Sequence, residues 1–477
     1  MSTYHTFVDG DFIYDRCQAK PDTTHGTPIG VDDWRFVVEA LLPTADAGLW
    51  DVAEWDDGEW GELEWSDMTD HVRGVEWTRG ADEFYGRPRI GEARITLSAR
   101  CGCWSPWNPD PPGGSSAYFA PGTIVRAGVV SDVDTRAGGW LPQFTMIVDA
   151  WDEQDADGST GADTIVQIIA FETLRDLAGI DDNALPGVVG GGDTPTERFT
   201  RLLEAAEWPY GLTINATDIV DFDTYWALQS TDMANNRLAE LYLTADSTDC
   251  TFRTGRKGEA FIEDVRLRHP DATDPEWPLG AFSKVDDDNP WLAFGASLDD
   301  ITYIVTENPD ILRVPYDADT ARTINDDEHL VNDARFTRAG GTQQVREHPA
   351  SISRFGRRTL TRTDLLNNAD TPTDLLAYRV VNRRGRFTLR VAEVTVATSD
   401  RGDDEYLAVA AADIGSGAFV SPPRPHPTVP VLSGDIENMT HRITARNGSE
   451  LTWQTMFGFT TDKVFRLPAA ILPEEDY

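Results

Sequence analysis

Apolar and polar residues alternate in short runs along most of this chain, and the runs predict strands. They fall at Trp34–Ala40, Ala93–Ser98, Thr123–Val130, Phe144–Ala150, Thr164–Phe171 and Phe387–Ala397. Gly, Pro and Asp cluster between them, the spacing of sandwiches and barrels. Helical periodicity is local. Thr194 and Glu197 form a capping box ahead of a helix over Pro195–Glu207, with Phe199, Leu202, Leu203 and Ala206 on its apolar face. A second helix is expected over about Ala234–Leu243. It leads into a hairpin, Cys250–Asp264, that turns at Gly255–Gly258. A third is expected over Pro372–Val381, capped by Thr371. Leu174–Ala178 reads as a short helical segment.

The expected fold class is therefore mainly β with an α+β section, in several domains. The layout is an N-terminal arm (1–32), a first β domain (33–172), an α+β domain (173–290), a second β domain (291–400), and a Pro-rich linker with a last β segment (401–477). The length of 477 residues fits two to four domains.

Charge changes the picture. The formal net charge is −40, with 4 Lys, 37 Arg, 55 Asp and 26 Glu. Such acidity argues against sequence-independent nucleic-acid binding and against docking on anionic lipid. The Arg and Asp bias fits GC-rich coding, and it also fits work at high salt. No apolar run is long enough to span a membrane, so no membrane anchor is expected, and Met1–Arg16 lacks the apolar core of a secretory signal. One window departs from the rest. From Arg335 to Thr398 there are 12 Arg and 5 acids, so the window carries +7 and the remainder −47. Two readings stand side by side: Arg–carboxylate pairs within one subunit, or a surface for an acidic partner. The candidate interface residues are Arg354, Arg357, Arg358, Arg362, Arg383, Arg384 and Arg386.

Signatures of catalysis are not legible. The sequence has no P-loop, GxSxG, HExxH or dinucleotide fingerprint, its eight histidines are scattered, and no cofactor or metal is expected. The acidic loop Asp152–Asp163 matches part of a calcium loop but lacks the closing Glu, and strands flank it, so it reads as a solvated hairpin loop. Cys101 and Cys103 have no zinc spacing, and the four cysteines read as buried thiols. Trp50, Trp55, Trp60 and Trp65 recur among acids. They read as aromatic packing or subunit contact, with sugar stacking as the alternative.

This Trp-rich segment also carries a resemblance. Trp50-Asp-Val-Ala-Glu-Trp-Asp-Asp-Gly-Glu-Trp60 resembles the opening of minor tail proteins of long-tailed phages of actinobacteria. Further segments are similar to theirs in the same order: Asp67–Gly80 with its Arg79-Gly80, Gly91–Leu97, Trp107-Asn-Pro109 with Ala120–Thr123, and Phe144–Trp151, where Met146 replaces a usual Gly. Asn332–Gly341, Pro349–Arg358 and Leu375–Tyr378 follow, then Glu437–His441 with Thr452–Thr455. The acidity, the arm before residue 33 and the Cys101-Gly-Cys103 insertion depart from that pattern.

The resemblance implies a non-enzymatic virion protein, similar to the central baseplate hub of contractile tails. It implies a homotrimer whose two related, barrel-like β domains form a pseudo-sixfold ring. Such a ring would join the distal tail protein ring to a threefold tip, contact the tape-measure or other tail-tip proteins, and surround passing genomic DNA without binding it specifically. A tail-associated wall hydrolase and a receptor-binding or carbohydrate-binding tail protein are the alternatives.

Overall fold

The computed structural model describes residues 34–43, 63–80, 89–98, 104–108, 119–131, 140–155, 164–179, 188–215, 223, 226–232, 236–264, 292–295, 312–316, 320–324, 330–385, 390–397, 403–420, 431–446, 450–459 and 463–465. The N-terminal arm, the Pro-rich Ser421–Pro430, most of the acidic loop Asp152–Asp163, and Trp50, Trp55, Trp60, Cys17, Cys101 and Cys103 lie outside the described residues.

The described residues begin with seven antiparallel strands: β1 Trp34–Pro43, β2 Leu63–Asp67, β3 Val72–Gly80, β4 Glu92–Ser98, β5 Ile124–Ser131, β6 Trp140–Asp155 and β7 Thr164–Glu172. Alternation decides which side is buried. Val75 and Trp77 of β3, and Ala93, Ile95 and Leu97 of β4, point inward while their neighbours stay wetter. The strands are joined in the order β3-β4-β7-β6-β5-β1-β2.

The α+β section follows, with α1 Leu174–Ala178, β8 Val188–Val189, α2 Pro195–Ala205, β9 Leu212–Asn215, β10 Thr231–Asp232, α3 Arg237–Thr248, β11 Cys250–Thr254 and β12 Ala260–Asp264. The capping box of α2 is made in both directions, Glu197 N to Thr194 Oγ1 (3.2 Å) and Thr194 N to Glu197 Oε2 (3.0 Å). Helix α3 begins and ends later than expected. Asn236 accepts from Ala239 N at its start, and the hydroxyls of Thr244, Ser247 and Thr248 return to carbonyls one turn back. Those bonds satisfy the polar side chains of a stretch that reads as a loop. Asp249, at φ 51°, then stops the helix.

The remaining strands are β13 Leu292–Gly295, β14 Leu312–Pro315, β15 Arg322–Ile324, β16 Asp333–Arg338, β17 Gln344–Glu347, β18 Thr359–Leu365, β19 Arg390–Ala397, β20 Gly417–Val420, β21 Val431–Arg446, β22 Glu450–Phe459 and β23 Lys463–Phe465. The helices are α4 Pro349–Phe355, α5 Asp370–Arg384 and α6 Asp403–Ala411. Helix α5 starts at Asp370, not at Pro372 with Thr371 as cap. Thr373 turns its hydroxyl to Asn367 and to the Ala369 carbonyl, and Asp370 is held by Arg338 and Thr342.

Among the described residues the buried apolar side chains form three cores. The first lies under β1–β7 but also takes Tyr406, Ala410, Ile443 and Trp453. The second joins the α+β section to Ala334, Phe336, Leu365, Leu376, Ala377 and Val381, which fall within the second β domain expected over 291–400. The third holds Val314, Val391, Val394, Val409, Val420, Met439 and Phe457. The C-terminal strands are no appendage. The hairpin β21–β22 runs through two cores, giving Ile443 and Trp453 to the first and Ile436, Met439, Phe457 and Phe459 to the third. Its β21 pairs with β3 on one side, from Asn438↔Gly80 to Thr444↔Gly74. Short-range periodicity cannot reveal such a pairing, because the partners lie more than 350 residues apart. The main sheet runs β14-β13-β20-β21-β3-β4-β7-β6-β5-β1-β2. It is mainly β and multi-cored as expected, but among the described residues it forms no closed barrel.

Candidate functional site: a buried ionic junction

Motif residues from Asp67–Gly80, Gly91–Leu97 and Glu437–His441 come together at one junction. Gly80 sits at φ +131°, and a Cβ there would lie 2.3 Å from the Glu437 carbonyl oxygen of β21. The close pairing of β3 with β21 therefore requires glycine. Beside it, Arg79 is buried. Its Nε donates to Glu172 Oε1 (3.0 Å), Nη1 to Asp413 Oδ1 (2.8 Å), and Nη2 to the Thr254 carbonyl (2.6 Å). Glu172 is held from the other side by Gly91 N (2.8 Å), and a Cβ on Gly91 would meet the Glu172 carboxyl carbon at 2.8 Å.

Two arginines of the β11–β12 hairpin complete the cluster. Arg253 Nη1 donates to Asp413 Oδ2 (3.2 Å). Arg256 donates to the carbonyls of Pro142 (3.1 Å), Ala410 (2.7 Å) and Ala412. One guanidinium thus closes the carboxyl end of α6, where unpaired carbonyls collect partial negative charge. The network ties β3 and β7 to the hairpin of the second core and to the turn after α6.

Electrostatics follows from this geometry. Burial alone would raise the Asp413 pKa, but Arg79, Arg253 and Arg256 overcome it and hold the carboxyl well below the usual range. At Glu172 burial wins over Arg79, and the pKa lies above that of an ordinary glutamate. Burial, with Arg79 and Arg253 nearby, pushes Arg256 down to about 10, still cationic at neutral pH.

His441, from the C-terminal motif, lies against this cluster. Its ring stacks on Trp77 (4.4 Å between centroids), and its Nδ1 accepts from Trp453 Nε1 (3.2 Å) and lies 3.0 Å from Thr455 Oγ1. An Nδ1 that accepts an indole N–H belongs to a neutral imidazole. Burial first, then the positive fields of Arg256 and Arg79, lower its pKa well below the ordinary value, against the opposing pull of Asp413. A histidine with a depressed folded-state pKa contributes stability that is complete above about 6.5 and is lost as pH falls below it. The chain should therefore lose stability between pH 7 and 5, at up to ~1.4 kcal/mol per pH unit for this one proton. His441→Gln should flatten that slope in urea titrations at fixed pH, leaving the part due to His71, whose pKa burial also lowers. An unchanged slope would contradict the assignment. Asp413 acts only lower, below about pH 4.

The arginine-rich window resolves largely into pairs within the chain. Asn332 and Asp333 are fully buried at the start of β16. Asn332 Nδ2 donates to Ser351 Oγ and the Gly356 carbonyl, and its Oδ1 accepts from Arg358 N (2.7 Å). Arg357 bridges Asp333 (2.8 Å) and Glu347. Arg362 meets Asp246 (2.9 Å) and Asp364 (3.1 Å), and Arg383 joins Arg379 on Asp249 (2.9 and 2.7 Å). Arg354 is exposed, with its guanidinium over Phe355 (5.0 Å), Arg384 is half-buried, and Arg386 lies outside the described residues. Of the four tryptophans only Trp65 is described. Arg126 lies over its ring at 3.8 Å, also stacks on Trp140 (4.7 Å), and pairs with Glu39 (2.6 Å).

Sequence reasoning missed Glu172, Arg253, Arg256 and Asp413. Each looks like an ordinary surface charge, and only the tertiary pairing of β3, β21 and the β11–β12 hairpin brings them together. Among the described residues no group of three His, Cys, Asp or Glu side chains could hold a metal ion. Cys250 is a buried free thiol. No described helix is long and apolar enough to cross a membrane.

No family model matches this chain, and no curated protein does. Its fold is similar to that of the tail protein from Neisseria meningitidis MC58, with a TM-score of 0.51 at 12% identity over 91% of this chain and 98% of that one. The 43 kDa tail protein of prophage MuSo2 from Shewanella oneidensis aligns with a TM-score of 0.48 at 10% identity, over the same shares of the two chains.

Proposed function

We propose that this chain is a structural protein of a phage tail, the trimeric hub of the tail tip. In this reading it adapts a sixfold tail tube and distal tail ring to a threefold tip, meets the tape-measure or other tail-tip proteins, and surrounds the channel through which DNA leaves. Its place is the virion, after assembly in the host cytoplasm. The observation that carries the reading is the fold likeness to a tail protein over nearly the whole of both chains. The ordered motifs support it from within, since Trp77, Arg79, Gly80, Gly91, His441 and Trp453 meet at one joint. A part that bears load between rings needs rigid joints between its bodies. The net charge of −40 suits a channel wall that repels phosphate.

The carbohydrate-binding alternative gains nothing from Trp65, because Arg126 lies over its ring. The test is the mass of the purified full chain by sedimentation. The expected species is three times the 52.8 kDa chain mass. A chain that stays monomeric at every concentration contradicts the trimer.

A further inference from the structure

The ionic junction and the aromatic cluster beside it bury several hydrogen-bond donors that reach no acceptor. His441 is 1% exposed, and because its Nδ1 accepts from Trp453, its Nε2 carries the proton. That Nε2 has no hydrogen-bond partner among the described residues, and the same holds for Tyr406 Oη, Trp77 Nε1 and Arg256 Nε. Tyr406 and Trp77 are fully buried, and the Arg256 side chain is 10% exposed. Burial pushes the Tyr406 pKa up, so the phenol keeps its proton to donate. Arg256 Nε stands 3.7 Å from Asp413 Oδ1, beyond hydrogen-bonding reach. Buried donors are rarely left so, and where several gather an ordered water or an ion completes them.

The four donors share one corner of the first core. His441 of β21 stacks on Trp77 of β3, and the Trp453 indole lies against both His441 (5.7 Å) and Tyr406 (5.4 Å). Tyr406 sits one turn of α6 before Ala410, whose carbonyl accepts from Arg256. The free acceptors decide what suits this corner. A water must place its own two hydrogens. Yet the Ala410 carbonyl already accepts from both Arg256 and Gln143 Nε2 (2.8 Å), and the Pro142 and Ala412 carbonyls accept from Arg256. Asp413 Oδ1 takes Arg79 and Ile414 N (2.8 Å), and its Oδ2 takes Arg253. An anion asks for donors alone. The charges acting on His441 are Arg256 and Arg79 against Asp413, a positive balance. Glu172 is engaged by Arg79 and Gly91, with burial favouring its neutral form, and Glu259 is half-buried on the hairpin, where it accepts from Lys257 N.

We infer that this corner binds a halide ion, chloride in solution, held by His441 Nε2, Arg256 Nε and Tyr406 Oη with Trp77 Nε1 at its edge. The ion gives β21, α6 and the β11–β12 hairpin a common ligand, so it tightens the joint between the first core and the second. An acidic chain suited to high salt meets chloride in abundance, which lets a weak internal site stay filled. The site is a property of the fold and does not depend on the tail reading.

The test unfolds the full chain in urea at about pH 8, where His441 is neutral, in about 1 M sodium salt with chloride exchanged stepwise for gluconate, so that screening of the surface charge stays constant. The folded-to-unfolded ratio is expected to rise with chloride, approaching tenfold for each tenfold of chloride once the site fills. Tyr406→Phe removes one oxygen. It should weaken the chloride dependence about tenfold, yet leave the chain at least as stable as the wild type in gluconate, where the buried hydroxyl has nothing to bond. Crystals of the wild type grown in bromide should show an anomalous peak beside His441 Nε2. Stability that ignores chloride at fixed ionic strength, a chloride dependence that Tyr406→Phe leaves intact, or an ordered water in place of the bromide peak overturns the site.

Discussion

Arg79→Met should destabilise the chain by about 3–5 kcal/mol, the cost of leaving buried carboxylates without their partner. Met keeps much of the volume of the arginine stem, so the loss is chiefly electrostatic. Arg79 touches Glu172, Asp413 and the Thr254 carbonyl together. Without it, Glu172 keeps only its bond from Gly91 and takes up a proton more readily, whereas Asp413 keeps Arg253. Pairing the change with Glu172→Gln should recover part of the loss, because a neutral amide tolerates burial better than an unpaired charge. Denaturant titration of the single and double variants checks this. A loss below about 1 kcal/mol would be the value of an exposed pair, and would mean that the junction is open to water.

Trp453→Ala should cost a similar ~3–5 kcal/mol, here through a cavity and lost apolar contact. The indole is fully buried among Phe36, Trp77, Tyr406 and His441, with centroid distances of 5.4–6.0 Å, and its Nε1 supplies the hydrogen bond that orients His441. Phe457, four residues on in the same strand, is equally buried but belongs to the third core. If the β21–β22 hairpin couples the two cores, Phe457→Ala should lower the unfolding midpoint of the first core as well. Trp77, Trp104, Trp151 and Trp453 report on the first core by fluorescence, beside Trp226 of the second core, whereas the third core contains no tryptophan among the described residues. A Phe457→Ala variant whose fluorescence transition stays in place would mean that the cores unfold separately.

What the sequence revealed follows how local each signal is. Strand alternation located β1, β4, β5 and β7 to within a few residues. The capping box of α2 was legible because its partners lie three residues apart, and the β11–β12 hairpin because its turn residues are contiguous. Helix α3 was shortened because its last turn, rich in Thr, Ser and Asp, reads as a loop until the hydroxyls are seen bonding back along the helix. The second β domain expected over 291–400 shows a different limit. Strands β16–β18 are genuine, yet their inward face packs on α5 and the α+β core, and strand patterning does not say what a sheet packs against. The same limit governs the junction. Arg79-Gly80 and His441 could be singled out as motif residues, but Asp413 and Arg256 carry no pattern of their own. Charge counting gave a basic window, while the geometry shows Arg357, Arg362 and Arg383 engaged with carboxylates of their own chain.

The central proposal is a place in a particle, so the direct measurement is on the particle. Electron microscopy of the phage tail that carries this chain, averaged at the tip, should show three copies arranged threefold around the channel below a sixfold ring. Six copies in a sixfold ring, or density confined to peripheral fibres, would contradict the hub.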